Sequence, residues 1–153
     1  MIELDIPGRG SLHLKHLVMD VNGTIARDGT LVVGVIPRIY KLGKMIDLHL
    51  LTADTHGTQE RIAALLDLKA SIIETSADKA DYVRRLGNEH VVAIGNGAND
   101  VRMCQEAVIG IAVMGPEGVA TMLLQAADVL VRDVTDGMDL LLYPSRLRAT
   151  LRD

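Results

Sequence analysis

The sequence predicts an α/β protein with a three-layer α/β/α architecture, in which a Rossmann-like parallel sheet lies between two layers of helices. Short apolar runs alternate with amphipathic segments along the chain, which is typical of strands joined by crossover helices. Each connection is short enough to form a single βαβ unit. The 153 residues are 48% hydrophobic and 24% charged, as in an ordinary globular protein, and we expect residues 1–153 to form one domain.

Hydrophobic periodicity places the strands. An initial strand is predicted at residues 2–6, ahead of five or six parallel core strands. A turn signal at residues 27–30 predicts a small β-hairpin flap within residues 24–33. The first core strand ends at Asp20 and the second at Thr52. The core strands are predicted at residues 17–19, 48–51, 71–73, 91–94, 108–113 and 129–131.

Helices are predicted between these strands and after the last one. Pro37 suits the first turn of a helix, where its missing N–H has no intrahelical partner to lose. Gly87 closes a helix that is predicted to start at residue 78. The predicted helices span residues 37–45, 58–66, 78–86, 99–107, 116–127 and 136–147.

The composition argues against several classes of partner. The chain has three Tyr and no Phe or Trp, whereas proteins that bind single-stranded nucleic acid usually need aromatic stacking platforms. Its formal charge of −4 gives no electrostatic reason to expect nucleic acid or an anionic membrane surface. No apolar stretch reaches the roughly 18 residues of a membrane span, and no signal peptide is recognised. We therefore expect a cytoplasmic protein without nucleic acid or membrane partners.

Cys104 is the only cysteine, so no internal disulfide and no cysteine-based zinc site can form. We interpret it as a small buried hydrophobic residue on a helix.

Polar residues collect at the predicted carboxyl ends of the strands. In open parallel sheets the ligand binds beyond these ends, so these side chains should face one crevice although they are far apart in sequence. Each has an ordinary structural explanation alone, such as a turn cap or a solvated lysine. Such separate explanations do not account for the occurrence of the whole set in this order at strand ends. The set is Asp20, Thr52, Asp54, Lys79, Asn96, Asn99 and Asp100.

Four segments of this set resemble the motifs of the haloacid dehalogenase superfamily. Residues 20–24, Asp-Val-Asn-Gly-Thr, resemble the first motif, which is usually Asp-x-Asp-Gly-Thr. Thr52 matches the second motif and Lys79 the third. Residues 95–100, Gly-Asn-Gly-Ala-Asn-Asp, resemble the fourth, usually Gly-Asp-Gly-x-Asn-Asp. The four occur in the family's order, and Gly-x-Gly-x-Asn-Asp is also the form found in the phosphorylation domain of P-type ATPases.

The resemblance implies a Mg²⁺-dependent phosphohydrolase that resembles a soluble P-type ATPase domain and works through an aspartyl-phosphate. It makes Asp20 the nucleophile and places Asn22, Thr52 and Lys79 beside it in the catalytic set. Mg²⁺ would lie between the carboxylates and the phosphoryl group. The implied phosphate-binding residues are Gly23, Thr52, Ala53, Lys79 and Asn99. The implied metal-binding residues are Asp20, Asn22 through its carbonyl, Asn96 and Asp100.

Two residues depart from the family pattern. Asn22 stands where phosphatases of the family have an acid/base aspartate, and general acid–base help is typically worth about 10²–10⁴-fold. We expect slow turnover of alkyl phosphates and a preference for leaving groups of low pKa. Asn96 replaces a metal-supporting aspartate, which predicts weaker Mg²⁺ binding. His56 could substitute as acid/base, although a surface histidine at a helix start is the simpler interpretation.

The spacing of the motifs leaves no room for a cap domain. Residues 22–37 accommodate a hairpin, and residues 52–79 a helix, a strand and turns. The resemblance then implies an open site that takes a phosphorylated small molecule or a phosphoprotein, or one closed by a neighbouring subunit in a homo-oligomer, a dimer or tetramer. The apolar run at residues 31–36 could pair between subunits or pack on its own domain.

Two further functions compete with the enzyme. A regulatory or binding module could keep the fold and turn over little, as the asparagines at 22 and 96 suggest. A receiver-like signalling domain also has a layered sheet, an acidic site and a later lysine. Receivers carry the phosphorylated aspartate in the middle of the chain, however, whereas Asp20 is near the start.

Overall fold

The computed structural model describes residues 1–53, 58–73 and 75–153. Its central element is a six-stranded parallel sheet with the strand order β10-β9-β8-β3-β6-β7, which confirms the predicted α/β architecture. The strands are β1 (Ile2–Ile6), β2 (Gly10–Leu14), β3 (His16–Asp20), β4 (Ala26–Arg27), β5 (Thr30–Leu31), β6 (Asp47–Thr52), β7 (Ala70–Ile72), β8 (Val91–Gly95), β9 (Ile109–Val113) and β10 (Val129–Val131). The hairpin flap is formed by β4 and β5.

Helices cover both faces of the sheet and bury an aliphatic core on each side. They are α1 (Val35–Leu42), α2 (Thr58–Leu66), α3 (Ser76–Leu86), α4 (Val101–Glu106), α5 (Thr121–Ala126), α6 (Val134–Leu142) and α7 (Pro144–Leu151). Alternate residues of a strand point to opposite faces. In β3, Leu17 and Met19 therefore pack with α1, α2 and α6, while Val18 packs with α3, α4 and α5. Cys104 is buried in this second core, as predicted.

The initial strand is present at the predicted residues, and it pairs with an unpredicted strand, β2, in an antiparallel hairpin outside the main sheet. Three predicted helices differ from the structure. The helix predicted at 99–107 begins with a 3₁₀ turn, Ala98–Asp100. The helix predicted from residue 116 begins at Thr121, because Gly118 has a left-handed φ of +81°. The single closing helix is two helices, since Pro144 has no N–H to continue α6 and starts α7 instead.

The apolar run at residues 31–36 contains both buried and exposed side chains. Val35 is fully buried and Val32 nearly so, both in the core beside α1 and the flap, whereas Val33 is 94% exposed. Ile36 is also exposed. Part of the run therefore packs on its own core, and whether the exposed part pairs between subunits stays a prediction.

The central strand of the sheet, β3, carries the predicted nucleophile Asp20 at its carboxyl end. β3 lies between β8 and β6, and it runs parallel to both. Asp20 at its carboxyl end is thus flanked by the ends of two neighbouring strands. The described residues contain the flap after β3, and α2 and β7 between β6 and α3, but no cap domain. Across the described ranges, no helix is long and apolar enough to span a membrane.

Candidate active site

A buried lysine joins two carboxylates at the centre of the site. Nζ of Lys79 donates to Oδ1 of Asp20 and to Oδ1 of Asp100, each at 2.7 Å. The side chains of Lys79 and Asp100 are 0% exposed, and that of Asp20 is 9% exposed. Buried charges persist when they are paired and hydrogen-bonded. The three side chains therefore form one charge cluster, with two carboxylates against one ammonium group.

Each member of the charge cluster is carried by a different element. Asp20 ends β3, and Asp100 ends the 3₁₀ turn that follows β8. Lys79 lies in the second turn of α3, whose start is fixed by a cap: Oγ1 of Thr75 accepts from the N–H of Asp78 at 3.1 Å. Because the cap sets the register of α3, it also determines that Lys79 faces the sheet.

The second oxygen of Asp100 organises the loop after β8. Oδ2 accepts from the backbone N–H groups of Asn96 and Gly97, both at 3.0 Å. Gly95 permits this close approach, because a Cβ at that position would lie 2.5 Å from Cγ of Asp100. Asp100 is thus held at both oxygens, by Lys79 on one side and by the loop on the other.

The side chain of Asn96 connects the loop after β3 to the loop after β9. Oδ1 of Asn96 accepts from Oγ1 of Thr24 at 3.2 Å, and the same hydroxyl lies 3.5 Å from Oδ2 of Asp20. Nδ2 of Asn96 donates to the carbonyl oxygen of Gly118 at 3.3 Å. An aspartate at position 96 would have no N–H to give to Gly118, so the amide suits this position.

Burial shifts the protonation of the charge cluster. Burial, and next the charge of Asp100, raise the pKa of Asp20 to about 7, while the charge and hydrogen bond of Lys79 act in the opposite direction. For Lys79, burial acts to lower the pKa, but the charges of Asp20 and Asp100 outweigh it and the pKa is raised. Lys79 is therefore protonated at neutral pH. Asp20 would ionise more completely when additional positive charge comes near.

An open cleft of about 460 Å³ lies above the charge cluster. Its walls come from the carboxyl ends of β3, β6 and β8 and from the loops that follow them, as expected for a parallel sheet. Lys79 and Asp100 are buried and do not line it. The lining residues are Asp20, Asn22, Ala53, Asn96, Gly97 and Asn99. Three of the four predicted metal-binding residues and two of the five predicted phosphate-binding residues therefore line one cleft.

Two other predicted residues lie next to the cleft. Thr52 ends β6 and is buried, one residue beyond Leu51, which pairs in register with Asp20. Gly23 has a left-handed φ of +75°, and a Cβ there would lie 2.5 Å from Nδ2 of Asn96, so glycine is required. Asp54 and His56, which the sequence also indicated, lie outside the described residues.

Three residues of the site were not assigned a contact from the sequence. Thr24 and Gly95 lie inside the recognised motifs, so the motifs were the signal for them. Glu117 lies outside every motif, and its exposed side chain reaches Gly23: a Cβ on Gly23 would meet Oε2 of Glu117 at 2.7 Å. The sequence predicts a helix at residue 117, whereas the structure has a turn there, and this turn brings Glu117 to Gly23.

The donor atoms of the cleft fit Mg²⁺. Mg²⁺ prefers oxygen ligands and is commonly held by one or two carboxylates together with substrate phosphate and water. Asp20 provides a carboxylate that lines the cleft, and Asn22 and Asn96 provide neutral oxygens there. Asp100 adds a second negative charge from its buried position beneath the cleft. Within the described ranges, no group of three or more His, Cys, Asp or Glu side chains could hold a metal by itself. The site therefore suits a cation that shares its ligands with a substrate.

Sequence comparison finds relatives of two kinds, while no family model matches the chain. The chain is 44% identical over 66 residues to "Uncharacterized protein MJ0073" of Methanocaldococcus jannaschii, which is 43% of this chain and 71% of that protein. These two proteins belong to one family. The chain is also 34% identical over 117 residues to a "Probable copper-exporting P-type ATPase" of Archaeoglobus fulgidus, covering 74% of this chain but only 14% of the ATPase.

Structure comparison finds phosphatases. The cobalt-bound form of the deoxy-D-mannose-octulosonate 8-phosphate phosphatase of Haemophilus influenzae is similar with a TM-score of 0.72 and 15% identity, over 92% of this chain and 94% of that one. The 3-deoxy-D-manno-octulosonate 8-phosphate phosphatase of Moraxella catarrhalis, in complex with a magnesium ion, a phosphate ion and a KDO molecule, has a TM-score of 0.68 and 21% identity, over 92% of this chain and 94% of that one. At these identities the likeness establishes a shared fold.

Proposed function

We propose that the chain is a member of the haloacid dehalogenase superfamily, whose fold it shares, and that it is a Mg²⁺-dependent phosphohydrolase that acts through an aspartyl-phosphate on Asp20. The observation that carries the proposal is the charge cluster: the Lys79 ammonium contacts both Asp20 and Asp100 at 2.7 Å beside an open cleft. A phosphoryl group needs compensating positive charge to approach a carboxylate. Here the Asp20 carboxylate lines the cleft, and the Lys79 ammonium supplies positive charge beside it.

The proposed reaction assigns separate tasks to the two oxygens of Asp20. Oδ1 is held by Lys79, so we assign the attack on phosphorus to Oδ2. A bond forms from Oδ2 to phosphorus while the bond from phosphorus to the leaving oxygen breaks. Water then attacks the phosphorus of the aspartyl-phosphate, which releases inorganic phosphate and restores the carboxylate. Throughout, Lys79 holds the orientation of Asp20 and offers positive charge to the reacting oxygens.

The other residues in and beside the cleft are assigned to binding and orienting the phosphoryl group. The hydroxyl of Thr52 and the amide of Asn99 are assigned to the phosphoryl oxygens, with Gly23 and Ala53 offering backbone N–H groups at the strand ends. Mg²⁺, when bound, would place positive charge between the carboxylates and the phosphoryl oxygens. Its proposed ligands are Asp20, Asp100, the carbonyl of Asn22 and the amide oxygen of Asn96.

Asn22 narrows the class of substrate. Asn22 lines the cleft, but its amide cannot protonate a leaving oxygen or accept a proton from water. Loss of general acid–base help typically costs about 10²–10⁴-fold. We therefore propose that the substrate has a leaving group of low pKa, such as a nucleoside diphosphate, an acyl group or a phenolate. The likeness to P-type ATPases over 74% of this chain favours an anhydride. A cytoplasmic location also stays a prediction.

A regulatory or binding module is the second candidate. The two asparagines at positions 22 and 96 favour it, because together they remove an acid/base and one negative charge from the cleft. Such a module would accept a phosphoryl group, or bind one, and would turn over little.

Phosphate release tests the proposal and separates the two candidates. We expect the protein with Mg²⁺ to hydrolyse acetyl phosphate and para-nitrophenyl phosphate, and we expect Asp20→Asn to abolish release. Asp5→Asn is the matched control, since Asp5 lies in the β1–β2 hairpin and is exposed. A protein that releases nothing but takes up beryllofluoride at Asp20 would be the module. Release that persists in Asp20→Asn would overturn the nucleophile assignment.

A further inference from the structure

An apolar groove of about 380 Å³ lies between α1 and α2, and among the described residues it shares no lining residue with the cleft. Ile36 and Tyr40 line it from α1, and Leu65 lines it from α2. These three residues are 51%, 67% and 62% exposed. Large apolar side chains that are exposed together around one groove, rather than scattered, mark a site of interaction with another molecule.

The two sides of the groove also carry opposite charges. Lys44 follows α1 and Asp67 follows α2, and both residues line the groove. Nζ of Lys44 lies 4.1 Å from the centroid of the Tyr40 ring, so a cation–π contact holds the ammonium group beside the groove. Within residues 1–53, 58–73 and 75–153, neither Lys44 nor Asp67 forms an ion pair. Both charges are therefore free to pair across an interface.

Asp67 is an unfavourable residue for the end of α2 in an isolated chain. Its φ is +53°, in the left-handed region that glycine or asparagine adopts more readily. The N–H of Leu68 donates to the carbonyl oxygen of Ala63 at 2.9 Å, which closes the helix around this conformation. A carboxylate at the carboxyl end of a helix also meets the negative end of the helix dipole. The described part of the chain contains nothing that offsets this charge.

A two-fold axis along the groove would give both charges a partner. α1 and α2 run in the same direction, because they precede the parallel strands β6 and β7 in crossover connections. Lys44 and Asp67 therefore lie at the same end of the groove. Rotation about the axis places α1 of one copy on α2 of the other, so that Lys44 meets Asp67 of the partner subunit, and the reciprocal pair forms by symmetry.

We propose that this groove is the contact face of a homodimer whose two-fold axis runs parallel to α1 and α2. A second copy is the partner that fits, because the face complements itself: Ile36 and Tyr40 cover Leu65 of the partner subunit, and each charge meets its opposite. The proposal goes beyond the proposed function and does not depend on it. Since both helices are short, we expect a small interface and a dimer that dissociates at micromolar concentrations.

Sedimentation equilibrium from low micromolar to submillimolar protein, without substrate, tests the proposal. We expect the wild type to approach twice the mass of one chain as the concentration rises. Lys44→Asp and Asp67→Lys should each weaken dimerisation by about tenfold or more, because like charges then face each other twice across the axis. Lys15→Asp is the matched control, since Lys15 is exposed in the turn before β3, and it should dimerise as the wild type does.

An equimolar mixture of Lys44→Asp and Asp67→Lys tests the symmetry itself. In the mixed dimer both charge pairs are again of opposite sign, so the mixture should dimerise although neither variant does so alone at the same concentration. A contact elsewhere on the surface, or a groove that binds a different partner, gives no reason for this recovery.

Asp67→Asn separates a role in the interface from a local role at the helix end. Asparagine suits the left-handed conformation and removes the charge from the end of α2. Dilute Asp67→Asn protein should therefore be at least as stable to urea as the wild type, while its dimer dissociation constant rises by about fivefold. An unchanged dissociation constant would overturn the assigned ion pair.

Two further results would overturn the homodimer. A wild type that stays monomeric over the whole range would leave the groove to a different partner. A mixture of the two charge variants that is no more dimeric than either alone would place any dimer contact elsewhere. Phosphate release from acetyl phosphate should be the same in Lys44→Asp and the wild type, and its absence from both would overturn the proposed function without affecting the dimer.

Discussion

Nζ of Lys79 lies 2.7 Å from Oδ1 of Asp20, although 59 residues separate them in sequence. The contact is buried, and the same ammonium group also contacts Asp100. It joins a helix on one face of the sheet to the end of the central strand. Lys79 therefore stabilises the folded state by balancing the buried charges, in addition to its proposed role in the reaction.

Replacing Lys79 by methionine should destabilise the protein. Two buried carboxylates would lose their common partner, and breaking a buried ion pair typically costs about 3–5 kcal/mol. Urea unfolding at pH 7 measures the change, with Lys69→Met as the control because Lys69 is exposed. The double variant Lys79→Met with Asp20→Asn should recover part of the loss, since one of the two unpaired charges is then removed. A Lys79→Met protein as stable as the wild type would contradict the charge cluster.

Replacing Gly95 by alanine should displace Asp100 and reduce Mg²⁺-dependent phosphate release by tenfold or more. The new Cβ would lie 2.5 Å from Cγ of Asp100, closer than side chains can approach, so Asp100 would leave Lys79 or the loop N–H groups. Gly137→Ala is the matched control, because a Cβ there meets its nearest neighbour at 3.4 Å, an ordinary contact on α6. Equal phosphate release in Gly95→Ala and Gly137→Ala would exclude the predicted displacement.

A pair of histidines should make stability depend on pH. Nε2 of His49 lies 3.2 Å from Nδ1 of His16, and Nδ1 of His49 lies 3.0 Å from the Tyr82 hydroxyl. Burial lowers the pKa of both histidines from the ordinary 6.5, and for His49 the charge of His16 lowers the pKa further. The unfolded chain therefore takes up protons at a higher pH than the folded one, and the free energy of unfolding should fall as the pH drops through 6.5.

Urea unfolding between pH 7.5 and 5.5 checks this dependence. His49→Gln should reduce its slope, because one lowered pKa is removed while an amide remains to hydrogen-bond. His13→Gln, whose histidine is half-exposed on β2, should leave the slope unchanged. An identical slope in the wild type and in His49→Gln would show that other groups carry the pH dependence.

Replacing Asn22 by aspartate should speed the hydrolysis of an alkyl phosphate. The substitution introduces a carboxyl group at a position that lines the cleft, where it can protonate the leaving oxygen, and the expected gain is about 10²-fold or more. Acetyl phosphate, whose leaving group needs little protonation, should gain much less. The ratio of the two rates of phosphate release is the measurement, and a ratio that does not change would refute the role assigned to position 22.

Much of the fold and the centre of the site could be predicted because both depend on strand ends. Apolar runs mark β3, β6 and β8, and a parallel sheet brings their carboxyl ends together. Asp20, Asn96 and Asp100 could therefore be placed at one edge from sequence alone. The four motifs added Lys79, which comes from a helix rather than a strand.

The remaining features depend on backbone conformations that hydrophobic periodicity does not report. The apolar residues after Pro116 continue a helical pattern, yet the left-handed φ of Gly118 delays α5 until Thr121. This turn is what brings Glu117 to Gly23. Likewise, the apolar pattern at 136–147 continues past Pro144, where the chain begins α7. A close approach such as that of Gly95 to Asp100 is visible only in three dimensions.

The proposed reaction requires that Asp20 becomes phosphorylated. The direct measurement is mass spectrometry of protein that has been incubated with Mg²⁺ and acetyl phosphate, quenched in acid and digested. We predict that the peptide containing Asp20 gains the mass of one phosphoryl group, and that Asp20→Asn and protein treated with a chelator show no gain. A phosphoryl group on another residue, or phosphate release with no modified peptide at any time after mixing, would contradict the proposed reaction.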